Sequence, residues 1–148
     1  MKLISPDLSI SDTSLEDLLK QSSYTVLYFY PKNNTPGCTV EAKDFSALMP
    51  EFTRLDTQVI GVSKDEPKSH CSFIEKYDLT PLYLSDPELE LHKQFDTRKE
   101  KSMYGKTFFG GIRSTFVLDQ SGTIIQEWRK VKTKGHAQAV LDRCTEQK

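Results

Sequence analysis

Apolar runs separated by turn-forming residues predict a series of short strands along this chain. The run Val26-Leu27-Tyr28-Phe29 does not alternate with polar residues, which is typical of a strand that is covered on both faces. It lies in a predicted strand over Tyr24–Tyr30, and Val59–Ser63 predicts a second buried strand. Three further strands are predicted at Leu82–Leu84, Arg113–Leu118 and Thr123–Trp128, and the Asp119-Gln120-Ser121-Gly122 turn joins the last two as a hairpin.

Helical patterns occupy most of the segments between these strands. Thr13 and Glu16 have capping-box spacing and predict a short helix over residues 14–20. Four more helices are predicted: from about Cys38 to Met49, ending near Pro50; with Pro67 in its first turn and Phe73, Ile74 and Tyr77 on one side; from Asp86-Pro87 to about Phe95; and from about His136 to Arg143. Residues 96–112 are polar and contain glycine, and are predicted to be mostly loop.

The order β-α-β-α, an interlude, then β-β-α predicts an α/β fold. A central mixed β-sheet that ends in an antiparallel hairpin and a final helix is the thioredoxin-like arrangement. The length of 148 residues is that of a single domain, here residues 1–148.

Composition and charge narrow the function classes. The 20 basic and 21 acidic residues leave a net charge of −1, which argues against nucleic acid or an anionic membrane surface as partner. The N-terminal residues lack the apolar region of a signal peptide, and no stretch approaches the roughly 18 apolar residues of a membrane span. Three cysteines without repeated spacing argue against a disulfide scaffold, so we expect a cytoplasmic protein. Without an extended C-terminal tail, a monomer is expected.

Cys38 is the first candidate for chemistry, because it stands where a helix is predicted to begin. Unpaired backbone N–H groups and the positive end of the helix dipole favour the thiolate, which is the reactive form of cysteine. Cys38, Ala42, Phe45 and Met49 share one helix face, so the sulfur is expected to point inward. The alternative is an inert, buried thiol that packs as a small hydrophobe.

The residues around Cys38 resemble the active-site signature of peroxiredoxins. The signature is Pro31-x-x-x-Thr35-x-x-Cys38, and the longer string is similar to the peroxiredoxin Q subfamily, also called bacterioferritin comigratory protein. The resemblance covers nearly the whole chain after residue 24, whereas the first 20 residues match loosely and leave an N-terminal hairpin open. Its other matching segments are Ile60-Gly61-Val62-Ser63, Glu75-Lys76-Tyr77, Leu84-Ser85-Asp86, Met103-Tyr104-Gly105-Lys106-Thr107, Arg113-Ser114-Thr115-Phe116-Val117, Trp128-Arg129-Lys130-Val131 and Lys134-Gly135-His136.

The resemblance implies a thiol-dependent peroxidase that acts on hydrogen peroxide and small organic hydroperoxides. Cys38 would be the peroxidatic nucleophile, Thr35 would polarise peroxide and thiolate, and Arg113 would stabilise the thiolate and the transition state. Pro31 would shield the site from water. Glu41, in the first turn of the same helix, is expected to be a partner of the helix dipole. Thioredoxin or a similar dithiol would be the reductant, and no metal or other cofactor is implied.

The resemblance leaves the resolving thiol open. Many relatives carry it five residues after the first cysteine, where this chain has Lys43, so a local disulfide there is excluded. Another subset carries it in the helix after Ser63, and Cys71 is the favoured candidate on that basis. Cys144 shares a helical stripe with Ala137, Val140 and Leu141 and is expected to be a core residue. If neither serves, an external thiol resolves Cys38.

The remaining polar residues give weaker signals. His70, His92 and His136 are scattered without metal-ligand spacing; His70, beside Cys71, is expected to be solvated rather than part of a Cys/His dyad. Arg129, Lys130, Lys132 and Lys134 are expected at a solvated strand end, with a docking patch for an acidic partner as the minor alternative. The rival functions are a non-enzymatic thioredoxin-fold binding module or redox sensor and, less favoured without a C-x-x-C motif, a disulfide exchanger.

Overall fold

A seven-stranded mixed sheet lies at the centre of the protein, in the strand order β2-β1-β5-β4-β3-β8-β9. The computed structural model describes residues 1–103 and 106–147, and within residues 98–111 and at residue 147 only the backbone is described. The elements are β1 (Lys2–Ile4), β2 (Ile10–Asp12), α1 (Leu15–Leu19), β3 (Tyr24–Phe29), α2 (Pro36–Arg54), β4 (Thr57–Ser63), α3 (Pro67–Tyr77), β5 (Leu82–Ser85), α4 (Glu90–Gln94), β6 (Arg98–Met103), β7 (Lys106–Gly111), β8 (Ser114–Asp119), β9 (Ile124–Arg129) and α5 (His136–Gln147).

Strand β3 occupies the middle of the sheet and is covered on both faces, as its unbroken apolar run predicted. It pairs in parallel with β4 and antiparallel with β8. Val26 and Tyr28 point into a core beneath α2, α3 and α5, whereas Leu27 and Phe29 point into a second core that includes residues of α1 and α4. The segment that leads to the start of α2 therefore begins at a well-fixed strand end.

Gly61 leaves room for large aromatic rings on the two strands that neighbour β4. It stands between Tyr28 and Tyr83 in the register, and the hydroxyls of these two tyrosines lie 2.6 Å apart. A Cβ atom at Gly61 would lie 2.5 Å from Cε1 of Tyr83 and 2.8 Å from Cζ of Tyr28. A side chain at this position would therefore push the two rings apart.

Helix α2 is longer at both ends than predicted. It begins at Pro36, because proline suits the first turn, and it continues through Pro50 to Arg54. A proline inside a helix leaves the carbonyl four residues earlier without its donor. Here that carbonyl belongs to Ser46, and the Thr80 hydroxyl donates to it at 3.2 Å. A long-range contact thus replaces the missing bond, and the predicted end near Pro50 is wrong.

The prediction that residues 96–112 are mostly loop is also wrong. Strands β6 and β7 pair antiparallel as a separate two-stranded sheet. Because this ribbon does not join the central sheet, its sequence need not carry the apolar run by which the core strands were recognised. Tyr104 and Gly105, which are part of one resembling segment, lie outside the described residues.

Smaller differences occur at the N-terminus and at two helix starts. Strands β1 and β2 form the N-terminal hairpin that the resemblance left open. Helix α1 is capped by Ser14, whose hydroxyl accepts from the backbone N–H of Asp17, so Thr13 is not the cap. Helix α4 begins at Glu90 rather than at Asp86-Pro87. In the part of the chain that the structure describes, no helix combines the length and apolar character needed to cross a membrane.

Candidate active site

Cys38 is the third residue of α2, the helix that follows β3 along the chain. Thr35 is the N-cap residue, and its carbonyl accepts the first helical hydrogen bond from the N–H of Thr39 at 2.8 Å. The N–H groups of Gly37 and Cys38 belong to the first turn, where a helix offers no carbonyl partners. Cys38 is buried, with 2% of its surface exposed, and Ala42 and Phe45 are buried on the same helix face. The predicted inward direction of the sulfur is confirmed.

Arg113 brings a positive charge to this sulfur. It lies immediately before β8, whose first residue Ser114 pairs with Phe29 at the end of β3. Nη2 of Arg113 donates to Sγ of Cys38 at 3.3 Å. Sheet pairing therefore brings together two residues that are 75 positions apart in the chain.

Glu41 holds the other arm of the guanidinium. Nη1 of Arg113 donates to Oε1 of Glu41 at 2.7 Å, and the Glu41 side chain is 1% exposed. Burial raises the pKa of Glu41 to about 7, although the neighbouring charge of Arg113 opposes the rise. The sequence indicated only a helix-dipole partner here. The contact that orients Arg113 was missed, because no local pattern relates the two residues.

Gly37 leaves room for this guanidinium. A Cβ atom at Gly37 would lie 3.2 Å from Nη2 of Arg113, which is closer than ordinary van der Waals contact. Any side chain at this position would push the Arg113 nitrogen that binds the sulfur.

Thr35 and Pro31 lie in the loop between β3 and α2, and both are half-buried. The Thr35 hydroxyl donates to the carbonyl of Lys32 at 2.9 Å, so its oxygen keeps lone pairs for a further donor. Pro31 directly follows Tyr30, whose N–H donates to the carbonyl of Val62 and so ties the loop to β4. Both residues thus belong to the segment that leads from the end of β3 to Cys38.

Cys71 lies elsewhere, in the second turn of α3. Its thiol is directed at the carbonyl of Leu8 in the β1–β2 hairpin, at 3.9 Å. Strands β5 and β4 separate β1 from β3, which corresponds to about 14 Å across the sheet. A disulfide needs Cα atoms within about 7 Å, so a bridge from Cys71 to Cys38 requires movement of the chain.

Cys144 lies in the core of the protein, as its helical stripe predicted. It is 2% exposed, and burial raises the pKa of its thiol to about 11, with Arg143 opposing the rise. All three cysteines are free thiols.

The expectation of a solvated His70 is wrong, because its side chain is fully buried beneath the loop that precedes α2. His92 and His136 are buried as well, with 1% and 6% of their surfaces exposed. Burial lowers the pKa of His70 and of His136 to about 4. Adjacency in sequence hid this placement: His70 faces Asn33, whereas Cys71 faces Leu8.

The basic cluster is exposed, as expected for a strand end. Arg129, Lys130, Lys132 and Lys134 are all exposed, and Arg129 also donates to the carbonyls of Phe95 and Asp96. Three members of the cluster, Arg129, Lys132 and Lys134, border an open cavity of about 300 Å³ between the end of β9 and α5.

The fold thus places a buried thiol at a helix start beside the guanidinium of Arg113, which the carboxyl group of Glu41 holds in place. The model of the AhpC/TSA family matches residues 2–127, and the chain belongs to this family.

Relatives and solved structures narrow the class. The chain is 50% identical to peroxiredoxin Bcp of Xanthomonas campestris over 118 residues, which cover 80% of this chain and 74% of the relative. It is 48% identical to peroxiredoxin Bcp of Bacillus subtilis over 121 residues, which cover 82% and 77%. A structure of the Xanthomonas campestris bacterioferritin comigratory protein, studied for its alkyl peroxide reduction activity, is 40% identical, with a TM-score of 0.84 over 99% of this chain and 91% of that one. These comparisons confirm the thioredoxin-like fold and place the chain among peroxiredoxins of the Q or Bcp type.

Proposed function

We propose that this peroxiredoxin reduces hydrogen peroxide and small organic hydroperoxides, with Cys38 as the nucleophile. The thiolate attacks one peroxide oxygen, the O–O bond breaks, and the products are a sulfenic acid on Cys38 and hydroxide or alkoxide. A proton then converts the leaving oxygen to water or alcohol. The observation that carries the proposal is the 3.3 Å contact between Nη2 of Arg113 and Sγ of Cys38.

Each neighbour of the sulfur has a role in this step. Arg113 stabilises the thiolate and the charge that develops on the leaving oxygen. The N–H groups at the start of α2 supply further donors to the same region. The hydroxyl oxygen of Thr35, whose hydrogen is donated to the carbonyl of Lys32, accepts from the peroxide and so polarises it, and Pro31 limits the access of water to the sulfur. Glu41 keeps one arm of Arg113 occupied, so that the other arm points at Cys38.

The sulfenic acid must be returned to a thiol. We propose that Cys71 condenses with it, giving a Cys38–Cys71 disulfide and water, and that thioredoxin or a similar dithiol reduces the disulfide. The half-buried position of Cys71 supports this choice over Cys144, which is 2% exposed. The cycle needs no metal or other cofactor. An external thiol that attacks the sulfenic acid directly is the alternative.

We also propose that the enzyme works as a monomer in the reducing cytoplasm. Three cysteines without repeated spacing support the compartment, because they do not form the disulfide framework of a secreted scaffold. Size-exclusion chromatography with light scattering would test the monomer, and a mass near twice 16.9 kDa would contradict it.

Peroxide consumption with dithiothreitol as reductant tests the activity. Cys38→Ser should abolish it and Cys144→Ser, the matched control, should retain it. A wild-type protein that consumes no peroxide would instead favour a binding module or redox sensor.

Peptide mass mapping after one equivalent of peroxide tests the resolving step. A Cys38–Cys71 disulfide is expected in the wild type. A sulfenic acid that persists on Cys38 while Cys71 is intact would favour the cycle with an external thiol.

A further inference from the structure

The loop of residues 31–35, which we call the peroxidatic loop, is fastened to α3 by a closed set of polar contacts. These contacts involve residues that take no part in the chemistry proposed above. The buried contacts of this set centre on Asn33, whose surface is only 6% exposed. A buried amide is costly unless each of its polar groups finds a partner, so the arrangement calls for an explanation.

Asn33 uses both ends of its side-chain amide. Oδ1 accepts from the hydroxyl of Tyr30, at the end of β3. Nδ2 lies 3.1 Å from the hydroxyl of Ser69 and 3.2 Å from Nδ1 of His70, both on α3. The backbone N–H of Asn33 donates to Oδ2 of Asp65 at 2.9 Å. One residue of the loop is thus bonded to β3, to α3 and to the segment that connects β4 to α3.

His70 has the protonation state that this set requires. The imidazole is fully buried, and burial lowers its pKa to about 4, so it is neutral near pH 7. Nδ1 then accepts from Asn33, and Nε2 carries the hydrogen and faces the hydroxyl of Ser63 at 3.4 Å. Ser63 donates in turn to Oδ2 of Asp65 at 2.7 Å. The chain of donors therefore starts at the Asn33 side chain and ends on the carboxylate that holds the Asn33 backbone.

Asn34 adds a second attachment between the same loop and the same helix. Its Oδ1 accepts from the hydroxyl of Tyr77 at 2.8 Å and lies 3.4 Å from Nζ of Lys76. Between the two attachments lies a cavity of about 140 Å³, lined by Asn33, Asn34 and four residues of α3: Ser69, Ser72, Phe73 and Lys76. Polar contacts at its edges, rather than close packing, hold the loop at this place.

The position of the loop determines the position of the sulfur. Thr35 follows Asn34 directly and is the N-cap residue of α2. Its carbonyl accepts the first hydrogen bond of the helix. The Thr35 hydroxyl is bonded within the loop, to the carbonyl of Lys32. A shift of Asn33 would therefore move Thr35 and the first turn of α2 relative to Arg113, which is held separately by β8.

We propose that Asn33, which a hydrogen bond to His70 holds in place, is a positioning residue for peroxide reduction. Through the peroxidatic loop, it aligns Thr35 and Cys38 with Arg113. The inference rests on the proposed function of Cys38. It does not depend on which thiol resolves the sulfenic acid. It also links the active site to α3, because unwinding of that helix would release both asparagines.

Two reactions of Cys38 in Asn33→Ala test the proposal, both measured in a Cys71→Ser background with an external thiol as reductant. Peroxide reduction needs alignment with Thr35 and Arg113, whereas alkylation by iodoacetamide needs only an accessible thiolate. We expect the second-order rate constant with peroxide to fall about 100-fold, because a misplacement of about 1 Å has that effect, and alkylation to change less than about threefold.

His92→Ala is the control for the loss of a buried polar side chain. It removes a buried imidazole that is bonded to Asp86 at 2.7 Å and packs against Phe29, on the opposite face of the sheet. It should keep the peroxide rate constant at a temperature where circular dichroism shows it folded. If Asn33→Ala does not fold, His70→Gln is measured instead, because it alters the Asn33–His70 contact from the α3 side. It should show the same selective loss of the peroxide reaction.

An unchanged peroxide rate constant in folded Asn33→Ala, or in His70→Gln, would overturn the proposal. Equal losses in the peroxide and alkylation reactions would also overturn it, since they indicate a change in access or ionisation. If the Cys71→Ser background itself reduces no peroxide and wild-type protein does not either, the proposed function fails instead.

Discussion

Cys38 and Cys144 are equally buried, each with 2% of its surface exposed, and both belong to the core beneath α2, α3 and α5. Their surroundings differ. Cys38 stands in the first turn of α2 with Nη2 of Arg113 at 3.3 Å, whereas Cys144 lies in the third turn of α5, and burial raises the pKa of its thiol to about 11. Burial therefore does not decide which cysteine carries the chemistry. A helix start and a bound guanidinium distinguish the two.

Removal of the Arg113 guanidinium should have the largest effect on the difference between the two cysteines. Arg113→Ala should slow peroxide reduction by about 100- to 1000-fold, as expected for loss of one preorganised donor to the transition state. Stopped-flow measurement of the second-order rate constant checks this. Arg143→Ala, beside Cys144, is the matched control and should leave the rate unchanged. An unchanged rate in folded Arg113→Ala would remove Arg113 from the mechanism.

The carboxyl group of Glu41, which holds Arg113 beside Cys38, should make the free energy of unfolding depend on pH. Its pKa is about 7 in the folded protein against an ordinary value of 4.5, because it is buried. Between these values the folded state retains a proton that the unfolded state loses, so this group lowers the free energy of unfolding as the pH rises from 4.5 to 7. Glu41→Gln removes that contribution.

Urea unfolding of wild type and Glu41→Gln at a series of pH values isolates this effect. The difference in free energy of unfolding should change by about 1–3 kcal/mol from pH 4.5 to 7, in favour of the glutamine variant at the higher pH. His70 and His136, whose lowered pKa values give the opposite slope, are present in both proteins and cancel. Parallel pH profiles would contradict the raised pKa of Glu41.

Gly37 offers the smallest test on the Cys38 side. A methyl group at this position would contact Nη2 of Arg113 at 3.2 Å and displace it by a few tenths of an ångström. Gly37→Ala should therefore lower the peroxide rate constant about tenfold, without a matching loss of iodoacetamide alkylation. Val40→Ala, at an exposed position of the same helix, is the control. Equal rates in both variants would show that the guanidinium tolerates the methyl group.

Sequence reasoning reached the features that local patterns encode. The unbroken apolar run before Pro31 predicted the strand, and the helix face that Cys38 shares with Ala42 and Phe45 predicted the inward sulfur. The helix start was predicted at Cys38, two residues after Pro36, where α2 begins. Arg113 came from the resemblance, since nothing in its own neighbourhood relates it to Cys38.

The missed features depend on contacts between distant segments. Helix α2 continues past Pro50 because Thr80, 34 residues after Ser46, donates to the freed carbonyl. Glu41 and Arg113 are 72 residues apart, and Asn33 and His70 are 37 apart. Pairs of this kind leave no periodicity in the sequence, so a histidine such as His70 was expected to be solvated when it is in fact buried.

Identification of the cysteine that peroxide oxidises tests the central claim most directly. Reduced protein would be treated with one equivalent of hydrogen peroxide in the presence of dimedone, which traps sulfenic acids, and the modified peptides identified by mass spectrometry. We expect the adduct on Cys38 in Cys71→Ser protein, which cannot form the Cys38–Cys71 disulfide, and its near disappearance when Arg113→Ala is added, at the same reaction time. An adduct on Cys144 instead, or full labelling of Cys38 without Arg113, would contradict the central claim.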